Sequence, residues 1–110
     1  MLRFLVCCVL MSMVGVASAA AQSLDKGANV YADQKCSVCH SIAGKGNAKG
    51  ALDGVGTKLT ADDIRQWITD PVGMRATHKA ERKPAMPAKF GSLPKGDLDA
   101  LVAYLASLKK

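Results

Sequence analysis

Aromatic residues are scarce in this 110-residue chain: two Phe, two Tyr and one Trp. Beyond residue 21 only Tyr31, Trp67, Phe90 and Tyr104 remain to fill a core. A domain this small buries a modest fraction of its surface. The scarcity therefore excludes a large self-sufficient interior and implies that a bulky apolar group supplies part of it. Credible strand runs are also lacking, which excludes a sheet-based fold. Histidine occurs only as His40 and His78, and past residue 21 cysteine occurs only as Cys36 and Cys39. Their spacing cannot supply the four ligands of a zinc finger. No aromatics interleave with the basic residues, which argues against nucleic acid as a partner. No internal repeat or low-complexity tract divides the chain, and one domain is expected over residues 22–110.

The one long apolar run lies at the start. Arg3 supplies a positive first region, residues 4–16 an apolar stretch, and Ala17-Ser18-Ala19 or Ala19-Ala20-Ala21 a small-residue cleavage site. These features read as a signal peptide over residues 1–21, removed on export to the periplasm. An uncleaved anchor is the competing reading, weakened by Ser12, Gly15 and Ser18 within the run. Cys7 and Cys8 sit inside the apolar stretch and leave with it, so no stable membrane insertion is expected afterwards.

Cys36-Ser37-Val38-Cys39-His40 carries the strongest chemical signal, the C-x-x-C-H attachment motif of a c-type haem. On one helical turn these cysteines and the histidine stand at i, i+3 and i+4 and leave the same face. The thiols of Cys36 and Cys39 would add to the haem vinyl groups as thioethers, and His40 would bind the iron. A thioredoxin-type pair would need a strand-helix-strand setting. A Cys36–Cys39 disulfide would close a loop too small to stabilise much.

The remaining sequence reads as helices joined by irregular loops. Residues 24–35 place Leu24, Ala28 and Tyr31 on one face, with Gly27 marking a close crossing by a second helix. Pro94 precedes the stripe Leu98, Leu101, Val102, Leu105 and Leu108, with acids in the first turn and Lys109 and Lys110 set against the helix dipole at the end. Thr60 with Asp63 forms a short capping box ahead of Ile64, Trp67 and Ile68, and Pro71 ends that helix near Asp70. Glycines 44, 46, 50, 54 and 56 mark one extended loop. If buried, the Trp67 indole N–H needs an acceptor, for which a haem propionate is a natural candidate.

At this point the chain resembles the small monohaem class I cytochromes c over essentially all of residues 22–110. The resemblance rests on Cys36-Ser37-Val38-Cys39-His40, Leu52-Asp53-Gly54-Val55-Gly56, Ile64-Arg65-Gln66-Trp67-Ile68, Lys83-Pro84-Ala85-Met86-Pro87 and the last helix. It implies an all-α cytochrome c fold wrapped around one covalent haem c, with crossing terminal helices. Gly27 and Tyr31 would there meet Leu101 and Tyr104. It also implies Leu52, Trp67 and Ile68 as haem-pocket residues. One departure stands out: the family usually has a proline shortly before the Leu-x-Gly segment, whose carbonyl accepts the proximal histidine's other N–H. Here Ala51 is expected to supply that oxygen, with a looser loop.

Once the leader is gone, Met74 and Met86 are the remaining methionines. Met86, between Pro84 and Pro87, is expected to be the sixth iron ligand; Met74 is expected to pack or face solvent, and His78 is the rival ligand. With His40 and Met86 both bound, the iron has no open position and the protein carries single electrons without acting as an enzyme. The alternatives are a haem subunit of a dehydrogenase complex, or a haem enzyme or ligand sensor with a labile sixth ligand. The formal charge is +6, one less without Arg3. Arg75, Lys79, Arg82, Lys83 and Lys89 bracket Met86, and a monomer docking on acidic patches of redox partners is expected. A merely solvated lysine-rich loop is the plainer reading of that charge.

Overall fold

Thr60 and Asp63 show how local chemistry sets the fold. The Asp63 amide donates to Thr60 Oγ1 at 3.1 Å and the Thr60 amide donates to Asp63 Oδ2 at 3.2 Å, so the capping box closes despite the short acid. The computed structural model describes residues 19–110. The apolar stretch 4–16 of the expected leader, with Cys7 and Cys8, lies outside the described residues. Among those described, the helices are α1 (Ala19–Asp33), α2 (Val55–Lys58), α3 (Ala61–Thr69), α4 (Pro71–Thr77) and α5 (Lys95–Ala106). Short 3-10 turns occupy Cys36–Val38, Ala48–Gly50 and Ala88–Ser92. A two-residue hairpin, β1 (Ser41–Ile42) against β2 (Lys45–Gly46), pairs Ser41 with Gly46 and Ile42 with Lys45. The described residues form a mostly helical domain.

The main packing joins α1 to α5. At Gly27 the helices approach so closely that a Cβ would overlap the Ala100 carbonyl oxygen and Tyr104 Cβ. The glycine spends helix propensity to allow this contact. One turn later Tyr31 meets Tyr104 edge to face, with ring centroids 6.1 Å apart. Gly27 thus comes closest to Ala100 and Tyr104, while Leu101 lies deep in the core beside Leu98, Val102 and Leu105. Burial pushes the Tyr31 phenol up to about 12, and its oxygen has no partner among the described residues.

Several expectations shift in detail. Helix α1 ends at Asp33 instead of Lys35, because Lys35 turns left-handed (φ 57°) to start the Cys36–Val38 turn. Helix α5 ends at Ala106, so Lys109 and Lys110 lie beyond its last turn and do not meet its dipole. The Lys110 amide donates instead to Thr57 Oγ1 at 3.2 Å. The glycines of 44–56 do not form one loop; they are divided among the hairpin, the Ala48–Gly50 turn and the start of α2.

Pro71 does end α3, with Asp70 at the junction, but it also opens α4. Proline fits a first helical position, where no N–H is needed, and Asp70 Oδ1 accepts from the Gly73 amide at 3.0 Å. This second helix was not expected. It turns Met74 inward, where only 8 % of its surface stays exposed. On the surface, Arg65 of α3 reaches Asp99 of α5 at 2.7 Å. Hydrogen bonds from Lys95, and then Arg65, hold the Asp99 carboxyl below the usual carboxylate range. So exposed a pair contributes little to stability.

Candidate functional site

The Cys36–Val38 turn assembles the attachment motif. The amides of Cys39 and His40 both donate to the Cys36 carbonyl, at 3.1 and 2.9 Å, which winds residues 36–40 into one turn. The following chain returns through the hairpin. Gly46 adopts φ +108°, and a Cβ there would strike the His40 and Ser37 carbonyl oxygens. Only glycine lets the backbone lie so close beneath the motif. The Asn47 amide then donates to the His40 carbonyl at 2.9 Å.

Next to this turn the structure opens a cleft made of two cavities of about 220 and 480 Å³. Cys36, His40, Trp67, Met86 and Phe90 line both. Leu52 and Ile68 line the smaller, inner cavity, and Cys39 the larger, outer one. All seven residues singled out from the sequence therefore share one cleft, although they come from four separate segments. His78 and Met74 line neither cavity: His78 is exposed and lies against Trp67, ring centroids 5.6 Å apart, while Met74 is buried elsewhere. Tyr31 and Phe90 also line the cleft. Sequence reading treated them only as core aromatics, and nothing in their spacing marks them as more.

His40 Nδ1 lies 2.9 Å from the Gly50 carbonyl oxygen. A carbonyl only accepts, so Nδ1 carries the proton and Nε2 keeps its lone pair for a metal. This corrects the expectation for Ala51. Asn47 caps the Ala48–Gly50 turn, with its Oδ1 accepting from Lys49 at 3.1 Å, and that turn delivers the carbonyl of Gly50. The chain from Ala51 onward pairs with Ser41, whose carbonyl accepts the Leu52 amide at 2.8 Å. Burial pulls the His40 pKa down, the Gly50 bond opposes this, and the Arg82 charge adds to the lowering. The neutral imidazole is the form that binds metals. Burial also raises the Cys36 thiol.

The basic residues around Met86 divide into two groups. Lys79, Lys83 and Lys89 are exposed, with Lys89 Nζ 5.2 Å above the Phe90 ring. Arg75 and Arg82 turn inward. Arg82 Nη2 donates to the Cys39 carbonyl at 2.5 Å, and Arg75 Nη1 donates to the Arg82 carbonyl at 2.6 Å.

The profile of the cytochrome c family matches residues 24–109, a span that includes every residue of this cleft. The chain belongs to the cytochrome c family. This cytochrome therefore binds haem c covalently and carries electrons through its iron. Among curated proteins it is similar to cytochrome c oxidase subunit 2 of Alkalihalophilus pseudofirmus, 29% identical over 94 residues, covering 77% of this chain and 25% of that protein. The chain thus spans about a quarter of the length of that relative. No solved structure matches it. The cleft fits the group: two thiols and a neutral imidazole issue from one turn beside apolar walls, and a thioether lines the same space. Among the described residues no helix is long and apolar enough to cross a membrane.

Proposed function

We propose that this cytochrome is an exported, monomeric carrier that moves single electrons between periplasmic redox proteins, after cleavage of residues 1–21. In this reading Cys36 and Cys39 would hold the haem as thioethers, and His40 and Met86 would be the two protein ligands of its iron. Leu52, Trp67 and Ile68 keep water from the ring. The haem supplies an iron that cycles between ferric and ferrous states. The chain keeps the His40 imidazole neutral through burial, orients it through Gly50, and presents the Met86 thioether from a proline-flanked loop.

One observation supports this ligand pair over its rivals: of Met74, His78 and Met86, only Met86 lines the cavities that His40 lines. A thioether ligand raises the reduction potential relative to a second histidine. With both positions filled, the ferrous protein is expected to ignore carbon monoxide at neutral pH, and Met86→Ala to bind it at once. Immediate uptake by the unmodified protein would favour a ligand sensor or haem enzyme instead.

The likeness to an oxidase subunit supports an oxidase as the acceptor, and the exposed Lys79, Lys83 and Lys89 support docking on an acidic patch. Electron-transfer rates to such an oxidase should fall about tenfold or more between low salt and an ionic strength of roughly 0.5 M. Stopped-flow rates that ignore salt would leave those lysines as a solvated surface only.

A further inference from the structure

Gly50, and not the neighbouring Ala51, is the hydrogen-bond acceptor for His40. The space above Gly50 is occupied. A Cβ built there would overlap the Arg82 guanidinium and the Cys39 carbonyl oxygen. Arg82 Nη2 donates to that carbonyl at 2.5 Å, one residue before His40. The backbone of Arg82 is held in turn by Arg75 of α4, whose Nη1 donates to its carbonyl at 2.6 Å. Arg82 also stands four residues ahead of Met86 and lines the same outer cavity.

We propose that Arg82 is a positioning residue for both iron ligands, strapping the loop that presents Met86 to the Cys39–Gly50 contact that orients His40. The argument rests on the His40 and Met86 reading above. A glycine at position 50 leaves its loop free to move, because nothing in its own covalent structure restricts it. The planar guanidinium restores the restriction from outside, since it fills the open space and fixes the Cys39 carbonyl through a charge-assisted bond. Because the same side chain belongs to the Met86 loop, that loop cannot swing outward without breaking the bond to Cys39. Arg75 anchors the strap at its base. Arg82 is thus committed to the interior and is not part of the rim offered to a partner.

The test uses the full haem-loaded protein and imidazole as a competitor for the Met86 position. Loss of a residue that orients a metal ligand typically changes metal-site affinity by about 10- to 100-fold. Imidazole should therefore bind ferric Arg82→Ala at least about tenfold more tightly than the unmodified protein. The reduction potential should fall with it, because the thioether is less firmly held. Arg82→Lys, which keeps a cationic donor within reach of the Cys39 carbonyl, should recover most of both properties. Arg75→Ala leaves the guanidinium in place and should shift both in the same direction by less. If Arg82→Ala does not fold, Arg75→Ala decides.

Imidazole affinities and potentials unchanged in Arg82→Ala and Arg75→Ala, with Met86→Ala binding imidazole tightly, would overturn the strap while leaving the ligand reading intact. An unchanged Met86→Ala would show that the ligand reading itself has failed.

Discussion

Replacement of both Cys36 and Cys39 by Ala should yield a colourless product with the mass of the polypeptide alone and no cooperative unfolding transition. Two effects combine. The thioether bonds are the covalent tether, so their loss removes the haem from any step that separates free ligands from protein. The polypeptide then keeps a cleft whose inner part alone is about 220 Å³. Without the haem, the apolar side chains lining this half-open cleft lose the packing partner on one side. A small domain has only about 5–15 kcal/mol of stability to lose. Each single variant keeps one thioether and should remain coloured with a lowered unfolding midpoint. Intact mass, visible absorbance and thermal melts check these outcomes, and a cooperatively folded colourless double variant would refute the view that the haem completes the core.

Gly27→Val should destabilise the fold by more than about 3 kcal/mol, beyond the usual cost of overpacking. Gly27→Ala isolates the reason. In an unhindered helix alanine gains about 1 kcal/mol over glycine. Here its methyl group would overlap the Ala100 carbonyl oxygen and Tyr104 Cβ. Backbone cannot be trimmed away, so α1 and α5 must separate, loosening the Tyr31–Tyr104 pair and the layer of Leu101 and Leu105 beneath it. The overlap outweighs the propensity gain, and the expected net loss is about 1–3 kcal/mol for alanine. Ala100→Gly should fail to rescue either variant because it leaves the offending carbonyl in place. Denaturant midpoints measure all of these, and a stabilised Gly27→Ala would show that the helices can part without penalty.

The features legible in the sequence are those whose physics is local. Residues 36–40 announce their chemistry by spacing alone, Thr60 and Asp63 cap α3 through their own side chains, and the apolar stripe of α5 needs only the helical period. Less legible are features that depend on what arrives from elsewhere. Pro71 signals equally the end of one helix and the start of the next, and its neighbour Asp70 serves both roles. The choice of Gly50 over Ala51 follows from how the Ala48–Gly50 turn is wound and from the pairing with Ser41. Arg82 reads in the sequence as one more cation near Met86. Its inward course depends on the Cys39 carbonyl, 43 residues away along the chain.

The pairing of α1 with α5 also dictates an order of events as the chain is made. The first of these helices emerges with its glycine face bare, and its partner is synthesised only after all the intervening elements. Contacts between such distant segments form late, since loop closure must precede them. The segment bearing the two thiols lies just after α1 and stays open until α5 arrives, so covalent attachment is expected to precede closure of the α1–α5 pair.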